Sequence, residues 1–368
     1  MNALRRYLLP GFVFQSVVIA GGYGTGRELA EFFLSRGPLG GLLAMALATA
    51  VWSAVCIVSY EFARVFRAFE YRSFFQRLLG PWWVAFEVLY VALMMIVLAV
   101  IAAAAGSIAE RAFGLPYLAG VVGILVLVGF LVFGGNRVIE RAFTAWSAVL
   151  YLVYIVFFVL CVRSFGPAIE ASLAGGGIRG NWILGGLQYA GYNLGALPAV
   201  LITIRHHRSR RDTFIAGLLT GPIAMVPALL FLVAIAGEYP QILTESIPVN
   251  HMLEMLGSRG FQVAFQVVLF GTLAETGAGL LHAVNERIAR SRRARDRELP
   301  VAIRVGAALA MLGLGAVMAR FGLIPLVARG YGYITYGYLA VFVLPVLTWG
   351  VVLVNRNREG AGGEPRVR

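Results

Sequence analysis

Apolar runs of about twenty residues, each long enough to cross the hydrocarbon core of a bilayer, follow one another along nearly the whole chain. In hydrocarbon every backbone N–H and C=O must be paired inside the protein, so such runs read as helices. About ten crossings are predicted, at 8–34, 40–66, 82–109, 115–133, 142–162, 182–204, 214–236, 261–283, 301–321 and 331–354. Composition supports this: of 368 residues 60% are hydrophobic and 13% charged, with a mean hydropathy of +0.80. The expected class is an all-α integral membrane protein. The first run is too long, too rich in glycine and too lacking in a small-residue cleavage site to read as a removable signal peptide, so it is expected to stay.

A net charge of +13 could suggest nucleic acid, but the 31 basic residues are all arginine and fall in short clusters between apolar runs. Nucleic acid wants a continuous basic surface, so no such partner is expected, and topology explains the clusters. Arg5 and Arg6, Arg64 to Arg77, Arg137 and Arg141, Arg205 to Arg211, the 287–297 cluster, and Arg356 and Arg358 all fall on one side. The positive-inside rule then places both termini in the cytoplasm of a multi-pass inner (plasma) membrane protein. Tryptophans 82, 83, 146, 182 and 349 near the run ends read as an interfacial belt. Cys56 and Cys161 lie in apolar runs, and no metal-ligand spacing occurs, so neither a disulfide framework nor a metal site is expected.

Two runs are interrupted. In the first, Ala20-Gly21-Gly22-Tyr23-Gly24-Thr25-Gly26-Arg27-Glu28 places four glycines and a charge pair at membrane depth. Glycine costs a helix interior roughly 1 kcal/mol against alanine, and a charge there about 2.5 kcal/mol or more. Unwound backbone is tolerated where it lines a cavity, which makes the segment a candidate site. The sixth run repeats the oddity at Gln188 to Pro198, through Tyr189, Tyr192, Asn193 and Gly195. Matching breaks in two five-crossing halves, 1–168 and 169–368, are the signature of an inverted repeat.

Gly21 to Phe33, followed by Gly37 and Gly40, resembles the first-helix motif of the YkvI-like membrane proteins. That family is similar to the amino acid-polyamine-organocation superfamily, whose members have the LeuT-type fold with discontinuous first and sixth helices. The resemblance implies that fold here. The chain departs from the family's pattern at Arg27, where relatives tend to carry glutamine.

Backbone carbonyls around Ala20 to Tyr23, at the negative end of a half-helix dipole, suit a cation, while N–H groups of about Thr25 to Glu28 suit an anion. Arg27 would either reinforce the anion side or form a latch with Glu31 or Glu28. On the eighth run Thr272, Glu275 and Thr276 share one helix face at i, i+3 and i+4. In LeuT-type sodium symporters such a face holds sodium against first-helix carbonyls, so the resemblance places these three opposite Ala20 and Tyr23. Glu275 could hold sodium or carry a proton. Gly22 to Glu28, Tyr90, Tyr189, Tyr192, Asn193 and Gly195 are the candidate solute-binding residues. Tyr331, Tyr333, Tyr336 and Tyr338 read either as a vestibule closure or as an aromatic belt, and 238–260 as a lid or ordinary interfacial packing.

The expected function is secondary active transport of a small polar solute, an amino acid or related carboxylate or amine, coupled to Na+ or H+. No cofactor beyond that ion is expected, the partners are the solute and the lipid bilayer, and the oligomeric state is left open. A membrane sensor, a channel or an intramembrane enzyme are the alternatives. An enzyme is disfavoured because Glu275 has no histidine or aspartate beside it in sequence.

Overall fold

The computed structural model describes residues 3–19, 21–133, 136–293 and 301–362. Ala20, expected to offer an ion-binding carbonyl, lies outside the described residues, as do the side chains of Arg137, Arg141 and the 287–297 cluster.

Each predicted crossing corresponds to a helix or to a helix in pieces. The continuous ones are Pro38–Phe66, Trp83–Phe113, Tyr117–Phe133, Asn136–Gly175, Arg210–Ala236, Arg259–Arg293 and Val301–Ala319. Several exceed their apolar windows, because a helix pairs its own backbone and continues into polar flanks where hydropathy has already fallen. Six helices among the described residues are long and apolar enough to cross by themselves. The fourth crossing has 17 residues, at the short end of what a bilayer accepts. The first and sixth crossings are assembled from shorter elements, as is the tenth, which begins at Leu323 and passes through π-helical turns at Leu326–Tyr331, Leu339–Val343 and Val346–Gly350.

The second and seventh crossings form the most extensive helix pairing among the described residues. Small residues permit it: a Cβ on Gly217 would lie 2.6 Å from the Ile57 Cα, and one on Gly221 would lie 2.5 Å from the Thr49 carbonyl oxygen. The seventh crossing opens with a capping box in which Ser209 and Asp212 satisfy each other's backbone. It carries Pro222 and Pro227 in its interior. A proline has no N–H for the carbonyl four residues back, here Leu218 and Ile223. Neighbouring crossings supply the missing donors: Ser53 Oγ donates to the Leu218 carbonyl at 2.9 Å, and Gln15 Nε2 donates to that of Ile223 at 2.5 Å. Tyr151 then donates to Gln15 Oε1 at 3.0 Å, which fixes the amide. These prolines therefore bind the seventh crossing to the first and second.

Loop contacts sort the helix ends into two faces. On one, His207 and Asp212 meet the chain's beginning: Arg6 pairs with Asp212 at 3.5 Å and His207 Nε2 lies 2.8 Å from the Arg6 carbonyl. Arg64 pairs with Glu61 near this face at 2.7 Å, as expected from their spacing. On the opposite face Arg179 N–H donates to the Arg36 carbonyl at 2.6 Å and Arg111 pairs with Glu245.

Candidate functional site

The first crossing breaks where its glycines predict. Helix Leu9–Val18 ends at Ile19, whose ψ of 54° leaves the helical region. A single short turn, Gly21–Gly24, follows, and Gly26 adopts a left-handed φ of 76° before helix Arg27–Phe32 begins. Gly26 is glycine for that φ. Gly24 is glycine for space: a Cβ there would lie 2.5 Å from the Tyr154 hydroxyl and 2.6 Å from Leu269 Cδ1.

The sixth crossing changes winding and does not unwind. Helix Trp182–Asn193 passes into 3-10 turns at Leu194–Ala196 and Leu201–His206. Pro198 is the cause: it cannot donate to the Leu194 carbonyl, which instead accepts from the Leu197 N–H in the tighter pattern.

A cavity of about 570 Å³ lies between these two breaks and the third, fifth, eighth and tenth crossings. Glu28, Tyr90, Tyr192, Asn193, Gly195, Thr272, Glu275 and Thr276 all line it. Glu28 is 4% exposed and accepts a hydrogen bond at Oε2 from the Tyr192 hydroxyl at 2.5 Å. The Tyr192 ring stacks on Tyr331 with centroids 4.4 Å apart and planes 9° from parallel. Asn193 donates to the Tyr189 carbonyl at 3.0 Å. Thr272 and Thr276 hydroxyls donate back to the carbonyls of Val268 and Thr272, both at 2.9 Å, which leaves their oxygens free to accept or ligate. Glu275 is half-buried on the same face, with no side chain hydrogen-bonded to it among the described residues.

Other predicted site residues stand away from the cavity. Gly22 and Gly24 form the backbone of the short turn. The Tyr23 ring is fully buried against Phe231, and its carbonyl already accepts from the Gly26 N–H at 2.9 Å. Tyr189 packs among Phe32, Phe33 and Trp52. The expected anion-binding N–H groups are partly taken, since Arg27 N–H donates to Thr25 Oγ1 at 3.2 Å.

Arg27 forms the pair with Glu31 that was one alternative of its sequence reading. Its side chain is 3% exposed and turns away from the cavity. Nη1 donates to the carbonyls of Leu243 and Glu245 at 2.7 and 3.0 Å, and Nη2 to Glu31 at 2.5 Å. Beside it the Val249 N–H donates to the Thr25 carbonyl at 3.1 Å. Val249 belongs to helix Pro248–Met255, the segment read as a lid or as interfacial packing, and Asn250 on that helix accepts from Gln266 of the eighth crossing at 2.5 Å. That helix is thus fastened to both the first and the eighth crossings. Lining residues are exposed at the terminus-bearing end, as at Ser16, Val17, Ala199 and Gly279, and buried at the end nearer helix Pro248–Met255, as at Glu28, Tyr192 and Tyr331.

Tyr331, Tyr151 and Met94 also line the cavity without having been singled out as solute-binding residues. Trp146, expected in the interfacial belt, instead packs on Gly271 and donates to the Val268 carbonyl at 3.2 Å.

No protein-family model matches the chain. Its structure is similar to the crystal structure of MhsT in complex with L-phenylalanine, with a TM-score of 0.59 and 15% identity over 96% of this chain and 98% of that one. The fold is that of an all-α membrane protein of LeuT type. In sequence the chain is 21% identical over 341 residues to the uncharacterized membrane protein YkvI of Bacillus subtilis, covering 90% of this chain and 94% of that protein. A manganese transporter of Eremococcus coleocola aligns at a TM-score of 0.45 with 16% identity, over 98% of this chain and 88% of that one.

Proposed function

We propose that the protein is a secondary transporter that moves a small polar solute by alternating access, without an enzymatic step. The observation that carries this is a cavity at the break whose lining is exposed toward one face and buried at the other, beside helix Pro248–Met255 and the carbonyls that Arg27 holds. A site at a discontinuous helix, closed on one side at a time, is what alternating access requires. The likeness of the fold to MhsT, solved with L-phenylalanine, supports a small organic solute.

In this reading Thr272, Glu275 and Thr276 hold the driving ion, sodium or a proton, and Glu28, Tyr192 and Asn193 face the solute. Arg27 acts as the latch of the lid. The halves are 1–168 and 169–368 in outline, with the division moved to the end of helix Asn136–Gly175 so that no helix is cut. The terminus-bearing face is cytoplasmic, which the arginine clusters support.

Uptake into proteoliposomes under imposed sodium or proton gradients tests the proposal. Accumulation above the external concentration, collapsed when the gradient is dissipated, is the expected result. In Glu275→Gln solute should still exchange down its gradient but not accumulate. Binding without any uptake, under either gradient, overturns transport in favour of a sensor.

A further inference from the structure

The charge inside the cavity runs against a zwitterionic or anionic solute. Glu28 and Glu275 both line it, on the first and eighth crossings, and among the described residues no arginine or histidine does. The chain contains no lysine. The cation nearest in sequence, Arg27, is bound to Glu31 and to two lid carbonyls, so it is unavailable to a carboxylate. The helix that follows the break has six residues, and its leading N–H is already held by Thr25.

Glu28 has an open acceptor. Its Oε2 takes the Tyr192 hydroxyl, and no hydrogen bond reaches its Oε1 among the described residues, although the side chain is almost wholly buried and faces the cavity. That oxygen faces the cavity, where an ammonium group would supply both a donor and the compensating charge. Around it Tyr192 and Tyr331 are stacked side by side at the sealed end, and Tyr90 and Tyr151 line the walls. Aromatic faces beside a carboxylate are the chemistry that holds organic ammonium groups.

Building on the transport reading, we propose that the solute is an organic amine carrying no carboxylate, bound with its ammonium group at Glu28 against the Tyr192 and Tyr331 pair. An amino acid of the same skeleton would place a third carboxylate beside the two glutamates, with no basic side chain among the described lining residues to meet it.

Matched probe sets test the assignment on the full-length wild-type protein in detergent. One set is phenethylamine, phenylalanine and 3-phenylpropanoate; a second is isoamylamine, leucine and 4-methylpentanoate. Calorimetric titration should show the amine of a set binding at least about tenfold more tightly than its amino acid, the scale set by one unpaired charge, and the acid not binding. Glu28→Gln should weaken the amine at least about tenfold, as for the loss of one charge-assisted hydrogen bond, with Glu28→Asp restoring part of it if the amide variant does not fold. Amino acid or acid binding equal to or tighter than the amine overturns the assignment, as does the absence of binding by either amine. The two readings fail separately. Amine binding without uptake into vesicles removes transport and leaves the solute class standing, whereas accumulation of an amino acid but not its amine does the reverse.

Discussion

Arg27→Gln should open the lid. Arg27 makes two charge-assisted hydrogen bonds to the Leu243 and Glu245 carbonyls, each worth about 1.5 kcal/mol at the low end for a charged donor. Its pairing with Glu31 adds little to this sum, since that carboxylate is 23% exposed and recovers water when the partner is lost. Together the two carbonyl bonds bias closure by about 3 kcal/mol, a factor of roughly a hundred in the lid equilibrium. The Val249 amide, bonded to the Thr25 carbonyl across the same seam, reports that equilibrium through hydrogen exchange. Protection of a peptide spanning 247–255 should therefore fall by about two orders of magnitude in Arg27→Gln. Arg111→Gln breaks a pair whose side chains are 43% and 22% exposed, so its effect should stay below about fivefold. Protection in Arg27→Gln within threefold of wild type, or an equal loss in Arg111→Gln, would refute the latch.

Three further outcomes follow from other parts of the fold. Ser53→Ala leaves the Leu218 carbonyl, freed by Pro222, without a donor, and should lower stability by about 1–2 kcal/mol in a chemical-denaturation series; no change would mean that water or another group reaches that carbonyl. Gly24→Ala forces a methyl against Tyr154 and Leu269 and should destabilise by about 1–3 kcal/mol, whereas wild-type unfolding would show that the crossings are not so closely apposed. Burial holds the His207 imidazole below its ordinary pKa of 6.5. The unfolded chain then takes up the proton first, so the stability this residue contributes is full above pH 6.5 and is lost as pH falls below it. Thermal unfolding should drop between pH 7.5 and 5.5 and flatten in His207→Gln, and an unchanged slope in the variant would assign the acid sensitivity elsewhere.

The crossings and the first break were legible because glycine cost and hydrocarbon burial act locally, on residues adjacent in the chain. The break at Gln188 to Pro198 was legible in place but not in kind. Pro198 removes a donor, yet the backbone tightens around it instead of parting. The cavity's acidic residues were found from their depth alone. Arg27 could have served as an anion receptor or as a latch, and its spacing to Glu31 offered the pair that forms; the carbonyls that complete its hydrogen bonding lie more than two hundred residues away. Tyr331 read either as a vestibule closure or as part of an aromatic belt, because the apolar window opens there. The tenth crossing begins at Leu323, eight residues earlier, which sets Tyr331 roughly 12 Å deeper at helical rise. The donors that answer Pro222 and Pro227 were equally hidden, since a free carbonyl is readable in sequence but the helix that reaches it is not.

The most direct test of the central claim is the two-sided accessibility of Asn193→Cys, in a chain with the buried Cys56 and Cys161 replaced, to a membrane-impermeant maleimide in oriented vesicles. The cavity should react rapidly from the terminus-bearing face and slowly from the lid face, with Arg27→Gln raising the slow rate at least about tenfold. Equal rates from both faces without that substitution, or a lid-face rate that Arg27→Gln leaves unchanged, would contradict a chamber that opens to each side in turn.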